Sequence, residues 1–319
     1  MEYKRYDVLS TKDLFVSLEE NGVAVVPNRF TIDECKEYRN DIWQGIHHIT
    51  QGRFNINDAS TWSNFYDFQP KKSMLLQAWI GHWQTLWDIR QHENVCNLFA
   101  TLWDTTPDNL LVSFDGISAS LPPEITSKGW YNRADKSLHT DQSSRRMGRH
   151  CIQGFVNLYD VNEGDATLTI LQGSHKHHAD LFARFGLDVE SDWFKIDQPE
   201  HQAFFAERGC RQVCVAVEAG SIVLWDSRTI HAGIQAQQTR AAPNKRMVVY
   251  VSMLPKERAS TEVLSERIQA FEELRMTTHW TDVCTKFPRV PRPYGSPFPE
   301  FNNVQAPVLT ALGRSLVGY

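Results

Sequence analysis

The chain has 319 residues, is 41% hydrophobic and 22% charged, and carries a formal net charge of -5. That balance suits a globular protein with room for one large domain, and it excludes a low-complexity or largely disordered chain. The mild acidity argues against a protein that simply coats nucleic acid, and no apolar run approaches the roughly 20 residues of a membrane span.

The N-terminal stretch MEYKRYDVLSTKD has no apolar signal segment, and SLVGY at the other end is no retention or peroxisomal signal. A cytoplasmic protein is therefore expected. Residues 10–22 predict a short helix with a Ser or Thr cap and Gly22 at its end. VAVVP at 23–27 reads as a strand. Thr31 and Glu34 have capping-box spacing and open a second helix over 31–46. The stretch 54–105 is rich in aromatics, and Trp79, Trp83 and Trp87 recur every four residues. That spacing predicts one helical face, packed on a sheet or presenting rings to a ligand.

From about residue 110 the period changes to two. Strands are expected within 109–121, 150–161, 167–171, 211–226 and 246–254, with the turn NEGDA at 162–166. Short strands at this spacing indicate a mainly β fold with flanking helices, of the jelly-roll or barrel-like kind. A helix follows near 260–275, and the proline-rich 287–301 reads as a surface loop. The six cysteines are widely scattered and read as buried free thiols; the lone Cys210/Cys214 pair is a poor zinc site.

The chemistry concentrates in SLHTDQSSRR, residues 137–146. On a strand, His139 and Asp141 share one face, an odd use of a core position unless that face is wet or holds a metal. His231, in LWDSRTIHAG at 224–233, is a third metal-competent residue past a strand and a tight turn. Two imidazoles and one carboxylate are the ligand set of non-haem Fe(II) oxygenases, which leaves coordination positions open. The H-E-x-x-H pattern of a helical zinc hydrolase is absent.

Downstream, FVNLYDVNEGDATLTILQGSHK at 155–176 and EAGSIVLWDSRTIHAG at 218–233 complete a recognisable order. With ENGVAVVPNRFTIDECKEYRNDI at 20–42, the sequence resembles the phytanoyl-CoA dioxygenase family of Fe(II)/2-oxoglutarate-dependent oxygenases. Gln172 stands where that family usually has proline, before Gly173, Ser174, His175 and Lys176.

The resemblance implies a double-stranded β-helix, or jelly-roll, in a single oxygenase domain over 1–319. Within it lie an N-terminal helical and aromatic-rich region (1–108), the core (109–256) and a C-terminal tail (257–319). It implies His139, Asp141 and His231 as ligands to Fe(II), with 2-oxoglutarate and O2 as co-substrates. It also implies an arginine on the last core strand for the distal carboxylate of 2-oxoglutarate, a task suited to a bidentate guanidinium. Counting from His231 favours Arg240, nine residues on; strand position favours Arg246, fifteen on, which opens RMVVYVSM. Arg246 is preferred because a strand holds geometry better than a loop, and Lys245 should then point away.

Gln153 is a candidate for 2-oxoglutarate or substrate, and Ser113 and Asp115 for the same cavity. His175 shapes a turn, while His177 and His178 read as solvated. Lys128, Arg133, Lys136, Arg145, Arg146 and Arg149 form a local basic cluster, and Arg228 stands before His231. They suggest a rim for an anionic substrate. The expected activity is oxidation, hydroxylation first, of a small organic substrate with release of succinate and CO2. A nucleic acid or protein substrate, and a non-catalytic binding protein, are the competing readings.

Overall fold

Strand alternation builds the core, with one set of side chains facing a helical layer and the other facing a second sheet. The structure is a computed structural model that describes residues 1–67, 73–132, 137–290 and 304–319. In chain order its strands are β1 (Glu2–Lys4), β2 (Val23–Val26), β3 (Met74–Leu75), β4 (Leu110–Val112), β5 (Ile117–Ser120), β6 (His139–Thr140), β7 (Ile152–Asn157), β8 (Thr167–Gln172), β9 (Phe194–Lys195), β10 (Arg211–Val215), β11 (Ile222–Asp226), β12 (His231–Ile234) and β13 (Arg246–Pro255). One sheet has the order β1-β10-β8-β12-β6-β9; the other runs β2-β11-β7-β13-β5-β3, with β4 extending along β13. Apart from the parallel pair β1–β10, the pairings are antiparallel. This is the jelly-roll expected from the sequence, with a barrel that does not close.

The period of two is plain in the second sheet. Ala24, Val26, Ile152, Val156, Ile222, Leu224, Met247, Val249 and Val251 pack with Leu14, Leu18, Trp43, Trp87 and Val95 of the helical layer. Their alternates Val23, Val25, Phe155, Val223, Trp225 and Val248 meet Leu168, Ile170, Val213 and Val215 of the facing sheet. Arg246 and Tyr250 share that inner register. Lys245 lies over the Trp62 ring, 4.9 Å away, and so points out of the sandwich as expected.

The helices are Thr11–Asn21, capped by Ser10 and ended by Gly22 at φ 76, and Ile32–Ile49, with the full Thr31/Glu34 capping box. The tail helix, Thr261–Glu272, also forms where expected. The tryptophan ladder does not. Ala78 and Trp79 both have φ 58, so a 3-10 turn (Ile80–His82) precedes a short helix, Gln84–Arg90. Trp87 is fully buried and Trp79 and Trp83 pack against the same core, so none is a stacking face. Unforeseen helices are Glu93–Trp103, the single turn Pro123–Thr126, His178–Phe185, Pro199–Glu207 and Ala311–Val317.

Gln172 makes contacts a proline could not. Its Oε1 accepts from Tyr6 Oη at 3.0 Å and Lys4 Nζ at 3.3 Å, and its Nε2 donates to Asn21 at 2.7 Å, tying β8 to the N-terminal segment. His178 is buried, contrary to the solvated reading: its Nε2 lies 2.9 Å from the Gln142 carbonyl. All six cysteines are free and buried. No described helix is long and apolar enough to cross a membrane.

The turn before β12 rests on Asp226, which is fully buried and pairs with Arg228 at 2.7 Å and Arg149 at 3.2 Å. Burial pushes the Asp226 carboxyl up, but Arg228 outweighs it and holds it below the ordinary range. Asp226→Ala should therefore cost roughly 3 kcal/mol at neutral pH, since it leaves the Arg228 guanidinium without its carboxylate, while Arg149 keeps Glu19. A carboxyl depressed on folding stabilises above its unfolded pKa of about 4, and the contribution fades as pH falls below that. Urea unfolding of both proteins at pH 7 and pH 3 checks this: the gap should narrow at the lower pH, and equal stability at pH 7 would refute it.

Candidate metal centre and its cavity

His139 on β6 and Asp141 at its exit meet His231 through sheet register. His231 of β12 is the direct cross-strand partner of His139, which sets the two rings 4.5 Å apart. Asp141 follows just past β6, its N–H donating to the Ser227 carbonyl at 3.1 Å. Thr140 Oγ1 donates to the same carbonyl at 3.1 Å, so the turn before β12 holds the strand that carries the other two residues. His139 Nε2 lies 3.5 Å from Asp141 Oδ1 and His231 Nε2 lies 3.3 Å from Oδ2. One candidate ligand atom from each residue lies within 4.8 Å of the others.

Outer contacts fix which atoms are offered. His139 Nδ1 sits 2.7 Å from the Ser137 carbonyl, and His231 Nδ1 sits 2.9 Å from that of Thr229. A carbonyl only accepts, so each Nδ1 carries a proton, and Nε2 is the atom each ring turns to the centre. Gln153 Nε2 donates to Asp141 Oδ2 at 3.1 Å. Burial pushes the Asp141 carboxyl up, but His139 and His231 outweigh it and hold it well below the usual carboxylate range. Two imidazoles and a carboxylate are a donor set that fits a divalent first-row metal.

The three residues border a cavity of about 1020 Å³ between the sheets. Of the two candidate arginines, Arg246 lines it and Arg240 does not. Arg240 instead pairs with Glu124 at 2.5 Å and Asp165 at 3.1 Å, which bind its loop to the core. Arg246 is 7% exposed, donates to Ser118 Oγ, and keeps Nε without a protein partner. Burial lowers its pKa, and among the described residues no carboxylate pairs with it. Tyr250 lines the same end, its hydroxyl pKa raised by burial against the opposing pull of Arg246.

The other sequence candidates separate. Gln153 and Asp115 line the cavity; Ser113 does not, its Oγ accepting from the Ser252 N–H at 3.1 Å between β4 and β13. Arg145, Arg146 and Arg228 are also outside the lining and are paired. Arg145 meets Asp188 at 2.8 Å, Arg146 meets Asp192 at 2.9 Å, and Arg228 meets Asp226. Arg149 pairs with Asp226 and with Glu19 at 3.0 Å, and Lys128 stands 3.8 Å from Asp67. The basic cluster is thus largely neutralised rather than a free rim; Arg133 and Lys136 lie outside the described residues.

Two walls escaped the sequence reading. Ser191, Asp192, Trp193 and Lys195 come from the excursion after GSHK, where β9 pairs with β6. Thr278, His279, Trp280, Thr285 and Phe287 come from the tail, folded back through the Thr277–Lys286 bridge. Phe287, the head of the expected surface loop, faces the cavity, and residues 291–301 of that loop are outside the described residues. The clustered tryptophans and histidine were a signal of composition only, since no local period ties them to His139, Asp141 or His231.

Comparison with known proteins bears on the family and the fold. The family model described as Phytanoyl-CoA dioxygenase (PhyH) matches residues 18–242. "Ava biosynthesis cluster protein O" of Aspergillus versicolor is 28% identical over 268 residues, covering 81% of this chain and 82% of that one. A Salmonella typhimurium LT2 protein, assigned only provisionally as an oxidoreductase, superposes with a TM-score of 0.61 at 14% identity. That match covers 98% of this chain and 83% of the other. GlcNAc Inducible Gene 2 of Candida albicans gives 0.54 at 14% identity, covering 83% and 68%. The two structural likenesses speak for the fold alone.

Proposed function

The chain belongs to the phytanoyl-CoA dioxygenase family and is a non-haem Fe(II)/2-oxoglutarate-dependent oxygenase, and we propose that His139, Asp141 and His231 hold its iron while Arg246 holds the distal carboxylate of 2-oxoglutarate. The observation that carries this reading is the cavity itself. It joins a convergent His/Asp/His set to a buried arginine that has no acidic partner among the described residues. A buried guanidinium left without a carboxylate is costly, and a ligand that supplies one removes the cost.

When bound, Fe(II) with 2-oxoglutarate and O2 supplies the oxidising power, with succinate and CO2 released. The chain's own work is placement. The Ser137 and Thr229 carbonyls aim the two Nε2 atoms, and Gln153 orients the Asp141 carboxylate. Ser118 and Tyr250 steady Arg246. Phe155, Leu168 and Trp225 line the inner wall and limit water. A carboxylate at position 141, rather than a small residue, favours hydroxylation over halogenation. The whole chain, 1–319, works as one oxygenase unit, because the tail contributes a wall of the cavity. The pairing of Arg145, Arg146, Arg149 and Arg228 removes the main support for a nucleic acid substrate, and a small organic molecule fits the cavity better.

The test is an anaerobic titration of metal-free protein with Fe(II) and then 2-oxoglutarate, followed by the weak visible charge-transfer band of the chelate. The band should appear only with both present, and admission of O2 should yield succinate. A wild-type protein that shows no band at saturating 2-oxoglutarate would sink the reading.

A further inference from the structure

Most of the charges that line the cavity are answered by a close opposite charge; one carboxylate is not in an ion pair among the described residues. Asp192 is answered by Arg146 at 2.9 Å, and Lys195 by Asp197 at 3.3 Å. Asp141 faces the two histidines, and Arg246 is answered by 2-oxoglutarate if the function proposed above holds, a reading on which this inference rests. Asp115 remains. It lines the cavity, is partly open to it, and among the described residues forms no ion pair. Burial pushes its carboxyl up, while His279, from the tail wall, and the buried Arg90 favour its charge without forming an ion pair with it.

The carboxylate is also built to stay where it is. Its Oδ1 accepts from the Gly116 N–H at 2.8 Å. Glycine is required at 116, because a Cβ there would meet the Leu75 carbonyl oxygen at 2.0 Å. From behind, the fully buried Arg90 donates to the backbone carbonyls of Asp115 and Gly81. The nearby guanidinium directs its N–H groups to main-chain oxygens and favours the Asp115 charge only from a distance, so the carboxylate oxygens are left for Gly116 and the cavity. Around it the lining is aromatic, with Phe155, Trp225, Trp280 and Phe287 inside and Trp193, 55% exposed, lying 5.7 Å from the His139 ring.

We infer that the substrate is an organic cation, an apolar or aromatic body bearing an amine or guanidine nitrogen that Asp115 receives. A carboxylate in a shielded cavity favours a ligand that brings the opposite charge and repels one that brings its own. This reverses the anionic substrate suggested by the arginine-rich sequence.

Three matched probes test it: 3-phenylpropylamine, 3-phenylpropan-1-ol and 3-phenylpropionate. Binding to the anaerobic Fe(II)·2-oxoglutarate protein is read by tryptophan fluorescence, since Trp193, Trp225 and Trp280 line the cavity. The amine should bind about tenfold more tightly than the alcohol, and the acid more weakly than either. Asp115→Asn should remove the amine's advantage and leave the alcohol's affinity and the charge-transfer band unchanged. The wild-type amine/acid comparison decides the matter even if the variant folds poorly. An amine affinity no better than the acid's, or an advantage that survives Asp115→Asn, overturns the inference. The band reports separately on the iron and 2-oxoglutarate, so failure of either reading is told from failure of the other.

Discussion

Replacing His231 by alanine is expected to abolish both the Fe(II)·2-oxoglutarate charge-transfer band and succinate formation. The loss of metal affinity should exceed the roughly 100-fold that removing an outer partner of a metal site can cost. The reason lies in the geometry. His231 is 5% exposed and stands directly opposite His139 in the β6–β12 pair, so no neighbouring side chain can take its place. Two protein donors would remain on one short strand and its exit. The fold should survive, because β12 is held along its length by β8 through Ala232, Gly233 and Ile234. Far-ultraviolet circular dichroism should therefore match wild type while iron binding, measured by equilibrium dialysis, is lost. Retained iron binding by His231→Ala would remove this residue from the metal centre.

Arg246→Met should separate activity from stability. The KM for 2-oxoglutarate should rise at least about 100-fold, the scale of losing one partner of a buried charge pair. The metal-free protein should be no less stable, and even somewhat more so. Arg246 makes no ion pair among the described residues, its Nε is unpartnered, and only Ser118, Tyr250 and the Phe155 ring at 5.7 Å attend it. Methionine keeps the aliphatic stem and removes the buried charge. Such a trade, stability surrendered for binding, marks a functional residue. The converse outcome, a large fall in melting temperature with unchanged KM, would make Arg246 structural. Arg240→Met offers the contrast: it breaks ion pairs to Glu124 and Asp165 and should lower stability with little change in KM.

Much of the fold is local information, and that part was legible. The capping box at Thr31/Glu34, the αL glycine at 22 and the period of two in RMVVYVSML are short-range patterns whose physics does not depend on distant residues. The tryptophan ladder failed for a tertiary reason. Gly81 is packed so that a Cβ would meet the Asp115 carbonyl at 2.5 Å, and Arg90 donates to the carbonyls of both residues. The chain turns at Ala78 and Trp79 to fit that contact, and the i, i+4 pattern of tryptophans does not outweigh it.

The site divides the same way. By its residue types and their order the sequence alone determined a His/Asp/His set on a jelly-roll, because ligand chemistry and strand alternation are properties of the residues and their nearest neighbours. Strand position already preferred Arg246, but the ion pairs that hold Arg240 elsewhere were not legible, because its acids come near only on folding: Glu124 is 116 positions away and Asp165 is 75. The charge of the cavity was likewise decided by tertiary structure. The arginines beside the H-x-D stretch find their carboxylates in the 188–192 excursion and at Asp226, while Asp115 is left facing the cavity. A residue's charge is written in the sequence; whether it is already matched depends on which opposite charge comes within a few ångströms, and that is settled only when the chain is folded.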